Sequence, residues 1–253
     1  AVLHVCFGLG YNSAAVMDAL PEQGALQWLG LELDRRPLDL ALEQRIFQEM
    51  WSTSVLTRLQ ALKNTGCWST EKSTGQMLWG DARSTLSAIA PEQSFDLILQ
   101  DAFSPQRCPE LWTEEFLRAL ATRLRPGGRL LTYSRSAAVR ASLMRAGLEL
   151  FSLVATPGEK TGWSSGTMAV RHGGEMCPVQ GPGWRPFSTM ELEHLSTRAA
   201  IPFRDVTGTS TSEVILKQRK QEQGSCKLEP TNAWQRRWGL GKQKRCCPER
   251  TSH

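Results

Sequence analysis

The sequence lacks what several functions would require. It has no Cys-x-x-Cys pair and its four histidines are scattered, so no metal-ligand spacing is present and no metal is expected. Seven cysteines, an odd count, read as reduced thiols of a cytoplasmic protein rather than as a disulfide framework. No run of eighteen apolar residues occurs, so no transmembrane helix and no membrane role are expected. A basic-then-apolar leader is missing too. The chain opens on Ala1, without an initiator Met, inside a strand-like run, and reads as a fragment or a processed product. Most of the chain also lacks an excess of either charge. From Lys217 onward ten Lys and Arg face three Glu, whereas the first 216 residues hold 20 basic and 22 acidic side chains. The formal +5 therefore belongs to the C-terminal end. Such asymmetry points to an anionic partner or to a solvated terminus.

What is present is a regular alternation. Of 253 residues, 40% are hydrophobic, enough for a core and too many for a disordered chain. Strands are predicted over Val2–Phe7, Leu26–Leu33, Gln76–Trp79, Phe95–Leu99, Arg129–Tyr133, Leu148–Ala155 and Thr167–Val170. Helices are expected from about Ser13 to Leu20, over Pro37–Trp51, over Glu114–Leu124 and from about Ala137 to Ala146. The second of these has Leu38, Ala41, Leu42, Ile46 and Phe47 as its apolar face, and the stretch after it reads as irregular. Short apolar runs separated by helices are the pattern of a mostly parallel sheet covered on both faces. Right-handed crossovers then make residues 1–172 a doubly wound α/β domain. Beyond His172 the composition changes. Gly-Gly, Gly-Pro-Gly and Arg-Pro over 173–187 read as a linker. Two short helices follow, opened by capping boxes at Ser188-x-x-Glu191 and Ser210-x-x-Glu213. The rest of this 173–253 basic extension has little to pack except Trp234 and Trp238.

Chemistry concentrates where strands end. Gly8-x-Gly10 after the first run lets a backbone approach a ligand, but the third glycine of a dinucleotide motif is replaced by Ser13. Glu32 ends the second run, where a carboxylate can accept both hydroxyls of a ribose. Asp81 of Gly80-Asp81-Ala82 follows the third, where an acid can accept from an adenine amine. Pro126-Gly127-Gly128 is a turn common in methyltransferases of this class. Each feature has a plain alternative: a tight turn, a surface charge, a helix cap. Together they favour S-adenosyl-L-methionine as the cofactor. Asp101-Ala102-Phe103-Ser104-Pro105 closes the fourth run. Amine methylation needs a free lone pair aligned with a sulfonium methyl group, and a route for the proton. Asp101 suits the N–H and Phe103 the packing of the substrate; the alternative is that Asp101 caps a turn.

These residues carry a resemblance. Phe7-Gly8-Leu9-Gly10-Tyr11-Asn12, Gly80-Asp81-Ala82 with Leu86, Asp101–Pro105 with Pro109 and Leu111-Trp112, and Arg125–Gly128 into Thr132-Tyr133-Ser134 resemble the MnmC-like methyltransferases. That family is the methyl-transferring half of the tRNA 5-methylaminomethyl-2-thiouridine bifunctional protein, and the likeness covers residues 1–172. It implies a Rossmann-like class I fold in stand-alone form. The activity it implies is methylation of the 5-aminomethyl group on the wobble uridine of tRNA. It also implies that Asp101 and Phe103 lie at the reaction centre, with Gly8, Gly10, Asn12, Glu32, Asp81 and Ala82 on the cofactor. Leu9 stands where the family usually has Thr or another small residue. Members carry a segment ahead of the first strand, and the extension after His172 has no counterpart among them.

The partner so implied is the anticodon loop of tRNA. A base at the tip of a loop can enter a pocket without opening a duplex, and its phosphates call for positive charge. Trp234-Gln235-Arg236-Arg237-Trp238 interleaves aromatics and guanidinium groups as a nucleic-acid contact would, and equally suits two Trp anchoring the extension. Two other readings remain at this level. One is a polyamine aminopropyltransferase-like or small-molecule methyltransferase, although Phe7-Gly8-Leu9-Gly10 is not the Gly-Gly-Gly-Asp-Gly loop usual in polyamine synthases. The other is a non-catalytic RNA-binding protein that kept the fold.

Overall fold

The computed structural model describes residues 1–20, 24–154, 164–173 and 181–240. The Cys246-Cys247 pair and the cations from Lys242 onward lie outside the described residues. The strands are β1 (Val2–Val5), β2 (Gln27–Glu32), β3 (Cys67–Ser69), β4 (Thr74–Trp79), β5 (Phe95–Gln100), β6 (Leu124–Thr132), β7 (Leu148–Leu153), β8 (Gly166–Arg171) and β9 (Trp184–Pro186). They form one sheet in the order β3-β4-β2-β1-β5-β6-β8-β7-β9. β4, β2, β1, β5 and β6 are mutually parallel, and the pairings of β3, β7, β8 and β9 are antiparallel. All four residues of β1 are buried, as a central strand covered on both faces requires.

The helices are α1 (Tyr11–Ala19), α2 (Arg36–Glu43), α3 (Arg45–Glu49), α4 (Thr53–Thr65), α5 (Ala82–Ser87), α6 (Glu114–Thr122), α7 (Ala137–Arg145), α8 (Thr189–His194), α9 (Ser212–Ser225) and α10 (Thr231–Arg237). Strand alternation divides the core in two. Leu3, Val5, Leu29 and Leu31 face α5, α6 and α7 with Trp112 and Leu117, while Val2 and Trp28 face α1, α2 and α4 with Phe47 and Leu59.

Several expectations are corrected. The single helix over Pro37–Trp51 is two, because Gln44 is extended (φ −87°, ψ 120°). The break turns Phe47 into the core and leaves Ile46 77% exposed, so Ile46 is not part of the apolar face. The stretch read as irregular holds α4, whose Val55, Leu59 and Leu62 keep helical spacing on a buried face. Gly66, left-handed at φ +75°, ends it. Pro126-Gly127-Gly128 lies within β6, where the register against β5 shifts, rather than ahead of that strand. The Ser188–Glu191 capping box is present. At the second site Thr211, not Ser210, caps a helix of 14 residues rather than a short one. Ser210 is engaged elsewhere: its N–H donates to Asp205 and its carbonyl accepts from Arg83.

Residues 184–237 pack on the sheet. β9 extends it beside β7, and Phe203 and Ile215 enter the core shared by β1 and β5. Arg140 on α7 and Glu191 on α8 form a salt bridge at 3.2 Å with both side chains 1% exposed. The guanidinium also donates to Thr167 Oγ1, Ser164 Oγ and Gly166 O. Burial opposes charge on Glu191, but hydrogen bonds from Ser152, Ser188 and Arg185 and the charge of Arg140 bring its carboxyl down to about 2. Its contribution to stability is complete above the ordinary carboxylate value and fades as pH falls towards 2. Replacing Arg140→Ala leaves that carboxylate buried and underpaired. We predict a loss of about 3–5 kcal/mol in urea unfolding at neutral pH; a loss below about 1 kcal/mol would show the pair to be incidental.

Candidate functional site

Strand order reverses between β1 and β5, and the carboxyl ends of parallel strands at such a point form a ligand crevice. The turn leaving β1 is held in an unusual backbone shape. Gly8 (φ +59°) and Gly10 (φ +90°) are left-handed, and so is Cys6 (φ +61°), where a non-glycine residue costs roughly 1–2 kcal/mol. A Cβ on Gly10 would stand 2.7 Å from the Phe7 ring, so this turn admits only glycine there. Ser13, in place of the third glycine, packs α1 against the sheet through its hydroxyl. That oxygen lies 2.6 Å from His4 Nδ1 and accepts from Trp28 Nε1 at 3.0 Å. Burial lowers the His4 pKa to about 3, so the ring is neutral and structural.

Glu32 ends β2 beneath this turn. Its Oε2 accepts the Gly8 N–H at 2.8 Å, and Oε1 accepts those of Leu33 (2.7 Å) and Asp34 (3.0 Å). A carboxylate offers about four acceptor positions, which leaves about one, on Oε2, for a ligand hydroxyl. Asp81 caps α5 by accepting the Arg83 N–H at 2.9 Å, and its carboxylate is paired with the Arg83 guanidinium at 2.7 Å. The Arg83 hydrogen bond outweighs burial and keeps Asp81 below the ordinary carboxylate range, as an acceptor. The helix-cap alternative is therefore realised, with the side chain still 42% exposed. Glu32, Asp81, Ala82 and Phe103 line one cleft of about 270 Å³.

Asp101, just past β5, meets Asn12 on α1: Asn12 Nδ2 donates to Asp101 Oδ2 at 2.7 Å. Burial raises the Asp101 pKa and the Asn12 bond partly offsets it. The carbonyls on either side of the next peptide are pinned. Tyr133 Oη donates to Ala102 O at 2.8 Å, and Trp112 Nε1 donates to Phe103 O at 2.6 Å. Phe103 itself is 73% exposed. A fixed carboxylate, its pKa raised above the ordinary value by burial, stands two residues from an open aromatic ring.

Sequence reasoning missed Arg83, Tyr133, Cys108, Glu110 and Ser212. Only Tyr133 left a signal, its place in the Thr132-Tyr133-Ser134 stretch. Cys6 and Cys108 also line the cleft; burial pushes both thiols up, Cys108 to about 11, so neither is a nucleophile at neutral pH. Among the described residues no group of His, Cys, Asp and Glu is arranged to hold a metal, and no helix is long and apolar enough to cross a membrane. Trp234 is buried and stacks on His194 with ring centroids 4.2 Å apart, so it anchors the extension rather than awaiting a base. Trp238 Nε1 donates to Glu193.

A mostly parallel sheet with this strand order and flanking helices has the class I fold, that of an S-adenosyl-L-methionine-dependent methyltransferase. A family model described in those words matches residues 44–168. Within that class the chain is MnmC-like. It is 38% identical over 82 residues to the tRNA 5-methylaminomethyl-2-thiouridine biosynthesis bifunctional protein MnmC of Campylobacter hominis, 32% of this chain and 12% of that one. An uncharacterised protein of Methanocaldococcus jannaschii is 27% identical over 232 residues, 89% of this chain and 60% of its own length. The chain thus spans less than two thirds of either relative. The crystal structure of MnmC2 from Aquifex aeolicus shares the fold, with a TM-score of 0.71 at 24% identity over 89% of this chain and 68% of that chain.

The Asn12–Asp101 pair is directly measurable. A carbon-13 titration should place the Asp101 carboxyl above the ordinary value of about 3.9. Asn12→Ala removes the bond that favours the ionised form, so the midpoint should rise further. A midpoint that stays put or falls would mean that Asn12 does not set the charge of Asp101.

Proposed function

We propose that the protein methylates the nitrogen of the 5-aminomethyl group on the wobble uridine of tRNA, in the cytoplasm, with S-adenosyl-L-methionine as methyl donor. The observation that carries the reading is the Asn12-bonded Asp101 carboxylate beside exposed Phe103 at the crevice. The fit of the cofactor rests on the Gly8–Gly10 turn, whose Gly10 has no room for a Cβ, and on the ligand-facing acceptors of Glu32 and Asp81. Gly8, Gly10, Asn12 and Ala82 form the backbone side of that site, and Glu32 and Asp81 its polar grip. When bound, the cofactor supplies an electrophilic methyl group on a sulfonium centre.

The chain's own residues do the rest. An amine is a nucleophile only when neutral, and methylation leaves one proton too many on nitrogen. Asp101 accepts an N–H of the amine, turning the lone pair away from itself, and takes the surplus proton as the N–C bond forms. Its raised pKa makes it a better proton acceptor than an exposed carboxylate. Phe103 offers a face for the uracil ring, and the pinned carbonyls of Ala102 and Phe103 keep carboxylate and ring in fixed relation.

The likeness to the Campylobacter hominis MnmC protein, whose name carries this tRNA chemistry, supports the substrate class. So does charge: Lys217, Lys220, Lys227 and Arg236 are exposed on α9, α10 and the turn between them. Arg219 and Arg237 are spent internally, on the Ile201 carbonyl and on Glu229.

The test is transfer of labelled methyl to tRNA carrying the unmethylated 5-aminomethyl nucleoside, with putrescine in parallel. Label should appear in the tRNA nucleoside. Asp101→Ala should keep cofactor binding and lose turnover by about 10²-fold or more. Label in the polyamine and none in tRNA would overturn the reading. So would tRNA affinity without any cofactor binding.

A further inference from the structure

Asp205 lies far from the glycine turn in sequence, yet it is wired into the cofactor cleft. Its side chain is 1% exposed and is a crowded acceptor. Oδ1 takes the N–H groups of Thr209 (3.3 Å) and Ser210 (3.1 Å) and the Thr207 hydroxyl (3.1 Å). Oδ2 takes Arg83 Nη1 at 2.9 Å, and the same nitrogen donates to Ser210 O at 2.9 Å. The other side of that guanidinium, Nε and Nη2, holds Asp81. One planar group therefore joins a loop of the extension to the carboxylate on the cleft wall. Just beyond the loop, Ser212 opens α9, lines the cleft and donates its hydroxyl to Glu110.

The Arg83 N–H holds Asp81 Oδ1 as the helix cap, but among the described residues only the Arg83 guanidinium fixes Oδ2, so without a further anchor that oxygen and the guanidinium would still turn together. Asp205 removes that freedom. A guanidinium fork held by two carboxylates and a carbonyl has one orientation, so the Asp81 carboxylate that lines the cleft is held in one orientation too.

Resting on the cofactor reading above, we propose that segment 205–212 buttresses the cofactor site from behind, reaching the cleft itself only at Ser212. Within it Asp205 is a positioning residue that acts through Arg83 to aim Asp81 at an amino group of the nucleoside half of S-adenosyl-L-methionine. The extension then serves cofactor capture, separately from any contact with RNA.

The experiment measures S-adenosylhomocysteine binding by titration calorimetry to the full chain, its Asp205→Asn variant and its Arg83→Lys variant. Both variants should bind about tenfold more weakly, the loss expected for one misaligned charge-assisted bond. In steady-state assays the KM for the cofactor should rise by the same factor with the KM for tRNA unchanged. Mere loosening of the fold would move both. Arg83→Lys leaves the Asp205 bonds to Thr209 and Ser210 in place, and decides the matter if Asp205→Asn melts at a lower temperature. A folded variant that binds as tightly as the parent overturns the proposal. A parent that binds no S-adenosylhomocysteine overturns the cofactor reading beneath it. Binding that splits as stated while tRNA remains unmethylated would spare this proposal and sink only the substrate assignment.

Discussion

The site depends on one carboxylate that backbone N–H groups hold in place. Glu32 accepts three N–H groups, from Gly8 in the turn after β1 and from Leu33 and Asp34 after its own strand. A parallel pair has no hairpin to join its ends, and the ladder of β1 and β2 stops at the Cys6 N–H bond to Leu31 O. Glu32 ties the two strand ends together beyond that point. It fixes Gly8, hence the left-handed run to Gly10, hence the start of α1, and so the position of Asn12 one residue into the helix. Asn12 in turn reaches Asp101 at the end of β5. The chain of contacts runs across the reversal of strand order, from Glu32 at the end of β2 to Asp101 at the end of β5.

The Asp101 end is organised differently. The backbone around Asp101 is held from outside by Tyr133 and Trp112, two aromatic side chains that meet edge to face with centroids 6.1 Å apart. Aromatic packing supplies rigidity and the polar tips of the rings supply direction. Among the described residues Asp101 has one side-chain hydrogen bond, from Asn12, and so keeps acceptor capacity for a further donor.

The doubly wound sheet was legible because fully buried strands leave near-continuous apolar runs, and the strand ends marked Gly8, Gly10, Glu32, Asp81 and Asp101 by position alone. The helix α4 was overlooked although Val55, Leu59 and Leu62 have helical spacing, since Ser and Thr around its start read as loop. The break at Gln44 was invisible: only the packing of Phe47 distinguishes it from a continuous helix. Contacts across long stretches of chain could not be read at all. Nothing near Asp205 in the sequence announces Arg83, and nothing in Trp234-Gln235-Arg236-Arg237-Trp238 shows that one Trp stacks on His194 while Arg237 pairs with glutamates. The basic end is therefore partly internal structure.

Delivery of methyl from this crevice to an aminomethyl nitrogen on tRNA is what we propose. Mass spectrometry of tRNA nucleosides from cells deleted for the gene tests it most directly. The 5-aminomethyl uridine form should accumulate with loss of its methylated product, both reversed by the wild-type gene but not by one carrying Asp101→Ala. An unchanged nucleoside profile in the deleted cells would contradict it.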